Sequence, residues 1–179
     1  MRSYSSQGII LARRNYGEAD RVLSVMTDNL GRISLLAKGV RRPKSRKRGH
    51  IEVFNLVKFQ ASEGRGLGLM TEAEVINDYN KLRQDLKKMS VAYFFSEVIG
   101  KITREGEPHK ELFGLLKDYL EEICTSSNLR QLRSEFTRKA LVSVGFWPEG
   151  KKMDNPDYIL EDVTERKMSS VRVGRKITS

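Results

Sequence analysis

Between residues 8 and 75 the apolar positions come in short runs separated by turn formers. Gly8–Ala12, Val22–Met26 and Ile33–Ala37 are three such runs, and Thr27-Asp28-Asn29-Leu30-Gly31 lies between the last two. Turn residues between two apolar runs predict a hairpin. Ile51, Val53, Val57 and Phe59 then recur at even spacing, with Glu52, Lys58 and Gln60 on the other face. Ser62-Glu63-Gly64-Arg65-Gly66 is a further turn, and Leu67, Leu69, Ala73 and Val75 resume the alternation. A period of two means one buried and one solvated face. Five short strands in so short a stretch predict a closed sheet, since closure removes unpaired edges. A barrel of the OB type is the economical form, and an SH3-like barrel meets the same strand count.

Near residue 79 the period changes to that of a helix. Leu82, Leu86, Met89 and Tyr93 open a helix that runs to about Thr103, with apolar residues on several faces around Val91–Phe95. Such a helix is mostly buried. Gly106-Glu107-Pro108 ends it, and Pro108 suits the first position of the next. Leu112, Leu115, Leu116, Tyr119, Leu120 and Ile123 form an amphipathic stripe. Thr125-Ser126-Ser127-Asn128 closes that helix and caps a third, lined by Leu129, Leu132, Phe136, Ala140 and Val144 and stopped at Gly145. Tyr158–Val163 reads equally as a short strand or a helix. The fold class is therefore α+β, strands first: an N-terminal five-stranded OB-fold barrel over residues 1–78, an α-helical domain over 79–150, and a short basic C-terminal segment over 151–179.

Charge narrows the function. The 179 residues carry a formal net charge of +10. Residues 1–80 hold 14 basic and 8 acidic groups, so most of the excess sits in the predicted barrel. A field of this sign favours polyanions. Its densest part is Lys38-Gly39-Val40-Arg41-Arg42-Pro43-Lys44-Ser45-Arg46-Lys47-Arg48, with seven basic residues in eleven and no acid. Pro43 and the flanking Gly39 and Gly49 make it a loop between the third and fourth strands. Phosphates would neutralise it and release counterions, which is the source of affinity for nucleic acid; a merely solvated loop or a nuclear import tag is the other reading. In a barrel, Arg13, Arg14, Arg32 and Arg65 sit at strand ends or turns that extend this surface. Tyr4, Tyr16 and Phe54 are candidate base-stacking groups.

Other chemistry finds little support. His50 and His109 fall in different predicted domains, and Cys124 ends an amphipathic helix. One cysteine and two distant histidines do not make a zinc site, and neither metal nor cofactor is expected. Gly64-Arg65-Gly66-Leu67-Gly68 lacks the Lys-Ser/Thr of a phosphate loop and reads as a hairpin turn. No run of about 18 apolar residues is present. The opening residues lack the apolar core of a secretion signal. A lone cysteine suits a reducing cytoplasm.

Two long blocks resemble the RecO family of recombination mediators. One is Gly8-Ile9-Ile10-Leu11-Ala12-Arg13-Arg14-Asn15-Tyr16-Gly17-Glu18-Ala19-Asp20-Arg21-Val22-Leu23. The other is Gly31-Arg32-Ile33-Ser34-Leu35-Leu36-Ala37-Lys38-Gly39-Val40-Arg41-Arg42-Pro43-Lys44-Ser45-Arg46. Thr71-Glu72-Ala73-Glu74 is similar to the family's last barrel strand, and Phe136, Leu141, Gly145, Phe146 and Pro148 to its third-helix end. The resemblance implies an OB-fold followed by helices and a non-enzymatic role. It implies binding to single- and double-stranded DNA, strand annealing, and partnership with RecR and single-stranded-DNA-binding protein. Loading of RecA in the bacterial cytoplasm, at the nucleoid, would follow. The family's basic surface carries over to Arg13, Arg14, Arg32, Lys38, Arg41, Arg42, Lys44 and Arg46, and local charge adds Lys47 and Arg48. Many members place a four-cysteine zinc module after the third helix. Gly150–Pro156 has no cysteine here, so no zinc is expected, and the chain ends early for the family. The same charges also suit an adaptor for acidic protein tails or an RNA-binding barrel.

Overall fold

A computed structural model of the chain describes residues 2–64 and 66–165. Arg65 and residues 166–179, most of the basic C-terminal segment, lie outside the described residues. The chain divides into two compact units, Met1–Asp78 with Glu105–Phe113, and Tyr79–Arg104 with Gly114–Ser179.

The first unit is a closed five-stranded barrel: β1 (Ser3–Tyr16), β2 (Asp20–Thr27), β3 (Arg32–Ala37), β4 (Leu56–Ser62) and β5 (Gly68–Asn77), in the order β1-β2-β3-β5-β4. β1 is much longer than its apolar run because it serves two partners. Its first half pairs with β4, from Ser3↔Ser62 to Ile9↔Leu56. Its second half pairs with β2, from Gly8↔Thr27 to Tyr16↔Asp20. Where the two sets overlap, backbones crowd: a Cβ on Gly8 would lie 2.5 Å from Val25 Cγ1. β2 and β3 form the expected hairpin, with Met26↔Arg32 next to the turn. Thr27 Oγ1 accepts from the Leu30 amide at 2.9 Å and donates to the Gly31 carbonyl at 2.7 Å, tying that turn off. A short parallel contact, Leu35↔Gly68 and Leu36↔Leu69, closes the cylinder. Inside it Ile10, Leu23, Val25, Leu35, Val57, Phe59 and Met70 are all essentially inaccessible, each contributing on the order of 1.5–3 kcal/mol.

One expectation fails. The even spacing of Ile51, Val53, Val57 and Phe59 is not one strand: β4 begins at Leu56, and residues 51–55 form turns. Ile51, Val53 and Phe54 are buried nonetheless, because this segment runs back into the barrel. Phe54 adopts a φ of 77°. Its amide donates to the Ile10 carbonyl at 2.8 Å, and the Ile10 amide donates to the Asn55 carbonyl at 3.1 Å. Burial came from tertiary return of the loop, and it imitated a strand's alternation.

The second unit is helical. A one-turn α1 (Asn80–Arg83) precedes α2 (Leu86–Ile102), α3 (Lys110–Thr125), α4 (Leu129–Ser143) and α5 (Pro156–Thr164). Asp85 caps α2 by accepting from the Lys87 amide, and Asn128 caps α4 by accepting from Gln131. Pro108 precedes α3 by two residues instead of starting it. The ambiguous 158–163 stretch is helical, with Asn155 as cap and Pro156 in the first turn. α4 ends as expected at Gly145, φ 77°. The Phe146 amide donates to Leu141 and the Gly145 amide to Val142, at 2.9 and 3.0 Å, the bond pair of a Schellman cap. Phe95 and Phe136 stack at 4.0 Å, with Tyr119 edge-on to both. Among the described residues no helix is long and apolar enough to cross a membrane.

Candidate functional site

Residues 38–55 connect β3 to β4, and tight turns shape them. The Arg42 amide donates to Gly39, Ser45 to Arg42, and His50 to Lys47, at 3.0–3.1 Å. This coil is pinned at both ends by apolar side chains, since Val40 and Ile51 are fully buried in the barrel core. Polar bonds reinforce the pins. The Arg41 amide donates to the Ala19 carbonyl at 2.9 Å, and the Arg41 guanidinium reaches the Gly17 and Glu18 carbonyls at 3.3 and 3.0 Å. Asn55 Nδ2 donates to the Gly49 and His50 carbonyls at 3.3 and 3.0 Å. Lys47 Nζ donates to the Met70 carbonyl of β5 at 3.3 Å. The most charged segment of the chain is thus laid against the barrel wall between the β1–β2 turn and β5.

Between this coil and β5 lies an open cleft of about 600 Å³, lined by Arg42, Lys44, Arg46 and Lys47 together with Gly39, Ser45 and His50 of the coil, and by Thr71, Glu72 and Ala73 of β5. Lys38, Arg41, Arg42, Lys44, Arg46 and Arg48 are exposed, and Lys47 is half-buried. These seven are the sequence-predicted residues that the fold brings together. Exposure lets Lys38, Arg42, Lys44, Arg46 and Arg48 trade water and salt for phosphate oxygens, while Arg41 and Lys47 already bond backbone carbonyls.

The remaining candidates are placed differently. Arg13 and Arg14 lie within β1, opposite Leu23 and Val22, and the pleat sends them to opposite faces. Arg13 Nη1 pairs with Glu52 Oε1 at 2.5 Å. Arg32 is not beside the basic coil. It starts β3, bridges to Glu105, and its carbonyl accepts from the Gly106 amide at 2.8 Å. At a rise of about 3.3 Å per residue it stands roughly 20 Å from Lys38 along the strand. Arg65 lies outside the described residues. Of the aromatic candidates, Tyr16 is half exposed at the end of β1, while Phe54 is fully buried and cannot stack on a base. Tyr4 is packed edge-on against Phe59.

Arg21 was missed. It shares the parity of Leu23 and Val25, two core residues of β2, so its side chain follows theirs into the end of the barrel. The side chain is only 16% exposed. Nε and Nη1 are covered and have no hydrogen-bond partner. Burial first, then the Arg13, Arg41 and Arg48 guanidiniums, pull Arg21 below the ordinary arginine range, while Glu52 opposes them. The parity with Leu23 is the signal the sequence carries for it.

The described residues hold no group of three or more His, Cys, Asp or Glu placed to bind a metal. Comparison with known proteins agrees with this architecture. Residues 1–79 match the family model for the recombination protein O N terminal, and residues 83–152 match that for its C terminal. The DNA repair protein RecO of Pelotomaculum thermopropionicum is 32% identical over 148 residues, 83% of this chain and 57% of that protein. The protein of the same name from Desulforamulus reducens is 30% identical over 169 residues, 94% of this chain and 64% of its own length. That from Trichodesmium erythraeum is 37% identical over 120 residues, 67% of this chain and 42% of the relative. The chain therefore spans less than two thirds of the length of these relatives. With both terminal family models matched in order along a barrel followed by helices, this chain belongs to the recombination protein O family.

Proposed function

We propose that this chain is a DNA-binding recombination mediator of DNA repair that holds strands on the cationic coil and cleft of its barrel. It has no catalytic step of its own in this reading; it binds single- and double-stranded DNA and promotes annealing. It works with RecR and single-stranded-DNA-binding protein to assist recombinase loading, in the bacterial cytoplasm. The observation that carries the reading is the clamped cationic coil. Val40 and Ile51 in the core hold a segment with seven like charges against the barrel, although these charges repel one another. Charge concentrated at such a cost suits a polyanion that neutralises it. Arg13, near the end of β1, extends the surface, and Arg14, on the other face of that strand, would meet the DNA from its other side. Arg32 would contact a strand only if that strand ran the length of β3, and Arg65 completes the proposed set.

The test is anisotropy of a labelled single-stranded oligonucleotide at several salt concentrations, followed by addition of the complementary strand. About five phosphate contacts would give a log–log salt slope near −3.5, at about −0.7 per phosphate. Accelerated duplex formation is expected after binding. Replacing Arg41, Arg42, Lys44 and Arg46 by Glu should weaken binding by at least about 100-fold. Unchanged affinity in that variant removes the site, and no binding by the parent chain at low salt removes the function.

A further inference from the structure

Behind the exposed coil, at the end of the barrel, is an arrangement that the cleft does not include. Glu52 is the acidic side chain that pairs with the arginines there, Arg13 and Arg21. Its Oε1 is 2.5 Å from Arg13 Nη1 and 4.0 Å from Arg21 Nη1. The second distance is within ion-pair reach but too long for a hydrogen bond, so Arg21 keeps covered, unmatched donors. Unmatched donors on a covered cation are unfavourable, and they are the feature a second anion would satisfy. Glu52 is also unusually well placed for a carboxylate outside regular structure. Its neighbours Ile51 and Val53 are both buried, and its carbonyl accepts from the Asn55 amide at 3.1 Å. The carboxylate therefore projects from a fixed backbone, at 38% exposure, into a place where the charges call for an anion.

We propose that Glu52 is a tethered stand-in for a phosphodiester: it occupies an anion site formed by Arg13 and Arg21, and a nucleic-acid phosphate enters that site by displacing it. This deepens the proposed DNA-binding function and rests on it for the identity of the ligand. The exposed Arg13–Glu52 pair is readily broken, since such pairs are worth little. The phosphate brings more oxygens than one carboxylate and matches the fork of a guanidinium. Glu52 lies in the same 38–55 loop as the coil cations and meets Arg13 and Arg21 from it, so the site adjoins the surface proposed to hold the strand. In the free protein Glu52 neutralises part of the repulsion among these arginines. In the complex it is released, and its charge then opposes the strand, which keeps binding reversible.

Two readouts on the full chain test this, using the isosteric Glu52→Gln. The first is anisotropy with the single-stranded oligonucleotide. The variant is expected to bind about five-fold more tightly at low salt, the weight of one exposed ion pair, with a salt slope steeper by about 0.7. Adding Arg13→Gln to Glu52→Gln should cancel the gain. The second is the shift in melting temperature caused by inorganic phosphate relative to chloride at equal ionic strength, which should be larger for Glu52→Gln than for the parent. If the parent binds DNA while the variant binds equally or less tightly, Glu52 only orders the loop and the inference falls, with the DNA-binding function intact. If neither binds DNA yet phosphate stabilises the variant selectively, the anion site stands and the function falls. If neither chain binds DNA and phosphate does not stabilise the variant selectively, both fall.

Discussion

The Asp20 carboxylate accepts a hydrogen bond from the Gly39 amide at 2.7 Å. Asp20 opens β2, and Gly39, at a φ of 67°, turns the chain out of β3 into the basic coil. The same strand–turn region takes the Arg41 amide on the Ala19 carbonyl. One acid thus fixes the point from which the cations depart.

Asp20→Ala leaves the Gly39 amide without its charged acceptor. A loss of about 1.5–3 kcal/mol is expected for a bond to a charged group, read as a lower midpoint in chemical denaturation. DNA affinity should fall as well, because a looser coil must be ordered on binding. Asp20→Asn retains an acceptor and should lie between the two. Unaltered stability in Asp20→Ala would mean that Val40 and Ile51 alone hold the coil.

Gly31 gives a comparison between two glycines. At Gly31, φ is 71°, and a Cβ would overlap the backbone of Glu107 in the same unit; at Gly17, φ is 56° and nothing lies nearby. Gly17→Ala should cost only the left-handed penalty, about 1–2 kcal/mol. Gly31→Ala should cost clearly more, since the 105–113 segment must also move. Thermal melts of the two variants measure the difference, and equal losses would show that the segment yields freely.

Phe54 separates a core role from a base-stacking one. The ring is fully buried, so Phe54→Ala should destabilise the chain by about 3–5 kcal/mol. The fraction that remains folded should bind oligonucleotide as the parent does. Tyr16→Ala, at an exposed ring, should leave the melting temperature nearly unchanged. A stable Phe54→Ala variant with weakened DNA binding would reverse this assignment.

Much of the fold is local chemistry and was open to inspection. The Thr27–Gly31 turn, the Asn128 cap and the Gly145 stop depend on side chains within a few residues of one another. The helical stripe of α3 and the alternation in β5 depend on a period that the chain carries with it. The charge of residues 38–48 is equally local, so the basic coil was evident before its shape.

Three features depend on partners far along the chain. Ile51 and Val53 looked like strand residues because burial by a returning loop and burial by a sheet leave the same apolar mark. Arg21 carries only its parity with Leu23 as a local mark; that Glu52 comes within 4.0 Å of it depends on the return of the 38–55 loop. Arg32 looked close to the coil because proximity in sequence hides the roughly 20 Å that a six-residue advance along a strand covers. Composition, period and turn chemistry were enough to establish a cationic barrel followed by helices. Which cations share a site, and that Glu52 sits among them, follows from β1 pairing with β4 as well as with β2 and from the loop closing back on Ile10; the β4 and Ile10 contacts join residues 44 to 59 positions apart.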